Sequence, residues 1–374
     1  MKVTIITSYA KSAVNFRGPL IRCLVGNHCT VEILAPDHSF ETRADLSALG
    51  ASSISFSMNR TGRSLFQDLL SCQSLYSILI KTKPDVVFTY FIKPNIWGGL
   101  AAAAARVPWR VSLVEGLGSI FTKDEHSRQS PGKFILSWLV LRLYQVSFFF
   151  ANKIVFLNSD DLHELSDSCR IPLAKTFLLG GIGVDLSDWR MTPPFVSPIT
   201  FTMASRLLRE KGVFEFLEAA KLVKARFFDV KFLLLGGLDD NPGSIMLNDL
   251  KPWIDLNIVD YPGHVDLREW LSITSVFVLP SYYREGVPRS TQEAMAMGRP
   301  IITTNVPGCR ETVKNRVNGY LVSPRDSSAL ARAMINFIEK PDLIKSMGIA
   351  SRVMAEDLFD VHKANSKLLK VMNL

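Results

Sequence analysis

At 374 residues the chain exceeds what one simple hydrophobic core organises and suits two domains. Its five cysteines are scattered, odd in number and without a C-x-x-C pair, which excludes a disulfide framework and fits reduced thiols in a cytosol. The net charge of +8 is uneven: residues 1–150 hold 16 Lys and Arg against 9 Asp and Glu, with no dense basic run and no aromatic RNA-binding motif, so the balance points to anionic lipid or phosphate rather than nucleic acid.

The opening Met1-Lys-Val-Thr-Ile-Ile-Thr-Ser8 is too short for a signal peptide and reads as a first strand. Without a secretion signal, the glycosylation sequon Asn59-Arg60-Thr61 reads as chance. Short apolar runs at 3–6, 31–34, 85–89, 110–113 and 153–157 predict strands, with helices at 65–80 and 96–105. This alternation predicts a parallel sheet covered on both faces. The apolar stretch 134–151 is interrupted by Arg142 and Gln145, whereas a membrane span needs about 20 mainly apolar residues. Two readings stay open for it: a buried core helix, or an interfacial helix dipping into lipid with Lys133, Arg142 and Lys153 at the headgroups.

Residues 183–188 and the proline-rich 192–198 read as a linker. The alternation then restarts, with strands at 199–203, 230–235, 276–279 and 300–304 and a helix at 213–225. Residues 341–374 read as helical with weak breaks near Gly348 and Phe359. The chain thus predicts an α/β protein of two doubly wound domains facing a cleft, with ligands beyond the carboxyl ends of the strands.

Two loops at such strand ends carry the chemistry. In Ala204-Ser-Arg-Leu-Leu-Arg-Glu-Lys-Gly212, the cations Arg206 and Lys211 bracket a turn into a helix, a pattern that suits a diphosphate and its developing leaving-group charge. In Ser281-Tyr-Tyr-Arg-Glu-Gly-Val-Pro-Arg-Ser-Thr-Gln-Glu293, a Gly-Val-Pro turn opens a helix with Pro288 in its first turn. Glu285 sits in the turn and Glu293 inside the helix, about 7–8 Å along its axis from Pro288 at 1.5 Å per residue. That span suits the two ends of a nucleoside diphosphate-sugar, one carboxylate on sugar hydroxyls and the other on ribose, with the helix N–H groups facing the diphosphate. The plainer reading is two solvated or capping glutamates. Asp160-Asp161 and Asp239-Asp240 read as a helix cap and a loop rather than a metal motif.

Taken in order, Ser205-Arg206-x4-Lys211-Gly212, Leu234-Leu-Gly-Gly237, Tyr261-Pro-Gly-His264, Pro280-Ser-Tyr-Tyr-Arg-Glu285, Glu293-Ala-Met-Ala-Met-Gly-Arg-Pro300 and Asn318-Gly-Tyr-Leu-Val322 resemble glycosyltransferase family 4, of the GT-B fold. The resemblance implies that Arg206 and Lys211 hold the donor diphosphate, Glu285 contacts the donor sugar and Glu293 grips the ribose, within a donor site that includes Gly286, Val287 and Pro288. It also implies retention of anomeric configuration and no bound metal.

In the first half, Phe16-Arg-Gly-Pro-Leu-Ile21, Tyr90-Phe-Ile-Lys-Pro-Asn-Ile-Trp-Gly-Gly99 and Glu115-Gly-Leu-Gly-Ser-Ile-Phe-Thr122 resemble bacterial transferases acting on undecaprenyl-diphosphate-linked sugars. By that resemblance Gly18 lets the backbone approach the donor phosphates, although many members carry two glycines there. Arg17 and Lys93 are placed to meet the acceptor's diphosphate, and Lys93 also reads as an ordinary surface lysine. Some relatives place a histidine near the transferred sugar. Here the corresponding loop offers Glu115-Gly116-Leu117-Gly118, with His126 further along, and Glu115 is the candidate to hold the acceptor hydroxyl beside Gly116.

The resulting expectation is an N-terminal acceptor domain over 1–190, a donor domain over 191–355, and a final helix, 356–374, packing back on the first domain. The expected protein is a cytoplasmic hexosyltransferase attached peripherally to the inner membrane. It would move a sugar, UDP-linked, onto a lipid-diphosphate-linked saccharide without cofactor, metal or nucleic acid. The alternatives are a nucleotide-sugar epimerase, a phosphorylase, which would need pyridoxal phosphate, or a non-catalytic sugar-nucleotide-binding scaffold.

Overall fold

A computed structural model describes residues 1–60, 62, 64–122, 131–238 and 243–374. Thr61 of the sequon, His126 and Asp239-Asp240 lie outside the described residues. The chain divides into two compact units, Met1–Ile182 with Val361–Leu374, and Gly183–Asp360. The boundaries expected after residues 190 and 355 therefore fall after Ile182 and Asp360.

The first unit runs β1 (Lys2–Ile6), α1 (Ala10–Gly26), β2 (Thr30–Ala35), α2 (Phe40–Ala48), β3 (Ala51–Ser55), α3 (Leu65–Thr82) and β4 (Val86–Tyr90). A π-helical turn, Pro94–Gly98, leads into α4 (Gly99–Ala104), followed by β5 (Trp109–Val114), α5 (Pro131–Phe150), β6 (Lys153–Phe156), α6 (Ser159–Cys169) and β7 (Thr176–Leu178). Its seven strands are parallel in the order β3-β2-β1-β4-β5-β6-β7. Central strands such as Val86-Val-Phe-Thr-Tyr90 are buried along their whole length, because helices cover both faces. The chain returns to this unit with a helix, Val361–Val371, that packs on α1, and Trp109 Nε1 donates to the Val371 carbonyl at 2.9 Å.

The helix α5 is not the core helix that its composition allows. Only Val140, Tyr144, Ser147 and Phe148 are buried, while Phe149 is 73% and Trp138 51% exposed. By length and composition it is also apolar enough to cross a membrane.

The second unit runs β8 (Thr200–Ala204), α7 (Val213–Lys224), β9 (Lys231–Leu235), α8 (Leu247–Asp255), β10 (Asp260–Gly263), α9 (Leu267–Ser272), β11 (Val276–Leu279), α10 (Arg289–Ala296), β12 (Ile301–Thr304), β13 (Gly319–Val322), α11 (Ser327–Glu339) and α12 (Asp342–Leu358). The sheet is parallel, in the order β10-β9-β8-β11-β12-β13.

The stretch expected to be a linker belongs to this unit. Val184 bridges to Asp360, and the Gly183 N–H donates to Gln292 Oε1 at 3.0 Å. The fully buried Arg299 pins it further, donating to the Thr192 carbonyl at 2.7 Å and to those of Leu271 and Met297 at 2.8 Å each. Burial lowers the pKa of that guanidinium to about 10. The break expected near Gly348 is absent, since α12 runs through it. A Cβ there would meet the Gly298 carbonyl oxygen, so the glycine serves close packing rather than a helix end.

Candidate active site

In the second sheet the strand order reverses between β8 and β11. Such a reversal opens a crevice beyond the carboxyl ends of the two strands, because the crossing helices leave on opposite faces. The loops that follow are 205–212 and 280–288, the two that carry the sequence motifs.

These loops lie directly against each other. A short 3-10 turn, Arg209–Lys211, ends at Gly212, whose φ is 81°. A Cβ on Gly212 would overlap the Pro280 carbonyl oxygen. The Tyr282 and Tyr283 N–H groups both donate to the Glu210 carbonyl, at 2.9 and 3.0 Å. This contact brings Lys211 and Glu285 together: Lys211 Nζ donates to Glu285 Oε1 in an ion pair that is nearly buried. Ser281 Oγ donates to the same carboxylate oxygen at 3.1 Å, and the ammonium stands 5.1 Å from the Tyr283 ring centroid. Behind the pair, burial and then the charge of Glu285 push the Cys309 thiol up to about 12.

Gly286, Val287 and Pro288 are buried and lead into α10, where Pro288 is the N-cap and supplies no side-chain cap. The first-turn N–H groups of a helix have no acceptor within it, so this end offers donors and the positive end of the helix dipole. Glu293 lies further along α10 and accepts from Arg289 Nε at 2.8 Å. Burial raises the pKa of its carboxyl, against the neighbouring Arg289 charge, which lowers it. Arg206 stands exposed at the end of β8. Its flanking amides, Ser205 and Leu207, donate to the Leu235 and Gly237 carbonyls at 3.1 Å each, which fixes the backbone that presents it.

The first sheet reverses between β1 and β4. Here the structure places three expected residues differently from the sequence reading. Gly18 is not in the loop after β1 but inside α1, where its Cα faces Leu49, and the loop itself is 7–9. A helical backbone has its N–H groups engaged, so Gly18 cannot present them to a phosphate. Arg17 is 2% exposed and pairs with Glu115, its guanidinium carbon 4.8 Å from the Tyr90 ring centroid. Lys93 Nζ donates to Asp68 at 2.6 Å and to the Asn59 carbonyl at 2.8 Å. Both cations expected to meet an acceptor diphosphate therefore already hold carboxylates.

Glu115 follows β5 and precedes Gly116, whose φ is 97°. Beneath the Arg17–Glu115 pair the Tyr90 hydroxyl lies 2.9 Å from Ser12 Oγ, and burial pushes that phenol up to about 12. Phe91 has φ 72°, a strained value for a bulky residue, at the same strand end. Nothing in the sequence marks Arg17 and Glu115 as partners, since 98 positions separate them. The Arg289–Glu293 pair was also missed, although its i,i+4 spacing is a signal that could have found it.

Residues 198–340 match the family described as Glycosyl transferases group 1. The chain is 28% identical over 358 residues to the N,N'-diacetylbacillosaminyl-diphospho-undecaprenol alpha-1,3-N-acetylgalactosaminyltransferase of Campylobacter jejuni, a match spanning 92% of this chain and 91% of that one. It is 28% identical over 291 residues to the UDP-Gal:alpha-D-GlcNAc-diphosphoundecaprenol alpha-1,3-galactosyltransferase of Escherichia coli, over 73% of this chain and 71% of that one. Among solved structures, Anabaena Alr3699/HepE in complex with UDP-glucose superposes with a TM-score of 0.77 at 19% identity, covering 100% of this chain and 99% of its own. A Rickettsia africae glycosyltransferase superposes with a TM-score of 0.75 at 20% identity, over 100% and 97%. The GT-B fold and the glycosyltransferase resemblance read from the motifs are thereby borne out.

The contact of the two loops sets one expectation. Gly212→Ala places a Cβ against the Pro280 carbonyl and forces a non-glycine residue to positive φ, which alone costs about 1–2 kcal/mol. The variant should unfold at lower urea concentration than the parent, by about 2 kcal/mol or more. An unchanged midpoint would mean the loops part without penalty.

Proposed function

We propose that this glycosyltransferase, whose residues 198–340 form a group 1 domain, moves a hexosyl group from a UDP-sugar to a saccharide carried on undecaprenyl diphosphate, with retention at the anomeric carbon. The observation that carries the reading is the Lys211–Glu285 ion pair at the carboxyl ends of β8 and β11, next to the open start of α10. The undecaprenol-linked substrates in the names of the two relatives support the acceptor class, and the UDP-glucose complex of the Anabaena neighbour supports the donor. Such a reaction belongs to the assembly of bacterial surface polysaccharide or glycan.

Lys211, Arg206 and the α10 amides meet the diphosphate, so its growing negative charge is stabilised without a resident metal ion. Glu285 exchanges its ammonium partner for hydroxyls of the transferred sugar, and Glu293 accepts from the ribose hydroxyls. The bond from the anomeric carbon to the diphosphate oxygen breaks, and UDP leaves with the electron pair. The acceptor hydroxyl bonds to that carbon on the same face, and its proton passes to the departing phosphate oxygen. Glu115, held by Arg17, orients that hydroxyl.

Transfer from radiolabelled UDP-sugars to native lipid extract, with mass analysis of the product, tests this directly. Lys211→Ala and Glu293→Ala should each lower the rate about 100- to 1,000-fold, the usual loss of a preorganised charge contact. The parent should keep its activity in EDTA. Near-normal turnover in both folded variants would remove the donor site, and an absolute divalent-ion requirement would remove the metal-free charge scheme.

The Glu293 carboxyl also sets a pH dependence. Its ionised form accepts ribose hydrogens on both oxygens, protonation turns one of them into a donor, and burial raises its pKa. Protonation therefore begins at higher pH than for an ordinary glutamate, and donor KM should rise as pH falls through that raised pKa. Glu293→Gln should flatten this acid limb, and an acid limb of equal size in that variant would assign it elsewhere.

The same reading puts the chain at the cytoplasmic face of the inner membrane, where such acceptors are held. The exposed apolar residues of α5 support it, with Lys133 and Arg142 on the same helix. Each well-placed cation contributes on the order of 1 kcal/mol at an anionic surface. Binding to anionic but not zwitterionic vesicles, weakened by salt, is expected. Because Trp138 and Phe149 are exposed, Trp138→Ser with Phe149→Ser should weaken that binding without loss of fold. Unchanged binding would mean that α5 is not the anchor.

A further inference from the structure

A second apolar feature stands beside α5. The helices α3, α4, α5 and α6 pack in series, which places them on one face of the first sheet. The second member, α4 with its π-turn, is short and alanine-rich, so its neighbour α3 stands above it. The result is an open groove of about 380 Å³ lined by Leu69, Cys72, Gln73, Tyr76, Ala101 and Ala104. That volume lies within the roughly 300–1,000 Å³ of ligand pockets. No side chain lining it is charged. The outer side of α3 is apolar as well: Phe66 is 71% exposed, and Leu70 and Ile80 are also open.

The groove has a direction. Both α3 and α4 start at the carboxyl edge of the sheet, since each follows a strand and runs back along it. At that edge Lys93 joins the π-turn to α3 through Asp68, one position before Leu69. Arg60 lies in the loop leading to α3, its guanidinium carbon 5.2 Å from the Tyr9 ring centroid. Tyr9 itself belongs to the loop after β1, at the strand reversal. The Arg60 guanidinium thus stands at the mouth, next to the strand ends, and uncharged surface leads away from it. An anionic head with a long hydrocarbon tail matches this order. A sugar or nucleotide does not, because it would leave the apolar walls uncovered.

We infer that the α3–α4 groove binds the first isoprene units of the acceptor's polyprenyl chain, with the diphosphate held by Arg60 at its mouth. This rests on the lipid-linked acceptor proposed above and adds a site for its lipid portion. Branched isoprene units gain by leaving water, at roughly 25 cal/mol per Å² buried. The small Ala104 leaves room beside α3, and its side is exposed, so a larger residue fits there without disturbing the core.

Binding of undecaprenyl diphosphate and of the five-carbon dimethylallyl diphosphate to the full chain, in the same detergent, tests the groove. The long chain should bind at least about tenfold more tightly than the short one, or about 1.4 kcal/mol. Ala104→Trp, which fills the groove, and Leu69→Asp, which charges its wall, should each bring that ratio toward one. Both positions are exposed, and an unchanged melting curve checks the fold. Equal affinity for the two chain lengths in the parent, or an unaltered ratio in both folded variants, would overturn the proposal. Transfer to lipid extract without any chain-length preference removes the groove and leaves the proposed reaction standing. Tight, groove-dependent binding without transfer does the reverse.

Discussion

The ion pair between Lys211 and Glu285 depends on everything that surrounds it. Two charges taken out of water lose hydration that their mutual attraction does not fully restore unless the geometry is fixed. Here it is fixed by the loops after β8 and β11 lying within backbone contact, which in turn needs Gly212 where a side chain has no room. Gly308 has the same role on the other side, since a Cβ there would press on the carbonyl oxygens of Glu285 and Gly286 at 2.5 Å. A buried pair is weak support for stability, so its arrangement makes most sense as binding machinery. Each charge is neutralised within the chain, and the proposed diphosphate-sugar donor would offer both a replacement partner at once.

How much of this the sequence disclosed follows from the range over which each feature acts. The parallel strands were legible because a fully buried strand is a continuous apolar run, as in Val276-Phe-Val-Leu279. The strands β3, β7, β10 and β13 were not, because each lies at a sheet edge and is only partly buried, so its side chains carry no such run. Lys211 and Glu285 were legible as motifs, but their ion pair was not, as 74 positions separate them. Gly18 was misplaced for a physical reason: a Gly-Pro pair usually marks a turn, yet Pro19 is tolerated inside α1, a helix of 17 residues anchored by α2 and the C-terminal helix. Phe91 at positive φ is invisible by nature, because a strained conformation is imposed by surroundings against the residue's own preference.

The two units solve different problems with one topology. In the second, every element near the strand reversal serves close approach: glycines at positive φ, a helix start without a side-chain cap, and buried charges in pairs. In the first, the reversal holds a fully buried polar cluster of Arg17, Tyr90 and Ser12, with Glu115 at its edge. Arg17 is enclosed by an acid and an aromatic face, so it acts on Glu115 rather than on a ligand. Its cost of burial is met by that carboxylate, the ring and the Phe16 carbonyl, which accepts from Nη1 at 3.4 Å, while Nε is left without a partner. Such an arrangement holds a carboxylate in one orientation, the property needed of a group that must align a neutral hydroxyl.

The surface of the first unit carries the remaining asymmetry. A soluble domain covers its helices with charge, yet the apolar side chains on α3 and α5 stay open while α1 and α2 expose few. Exposed apolar area on that scale is costly in water and normally marks an interface. Asp68 is the lone acid of α3, and it is buried against Lys93; α5 has none. A protein partner would bring polar rims and hydrogen-bond partners to such a face. The combination here, apolar residues with cations and without open acids, is what the proposed contact with a lipid surface would require.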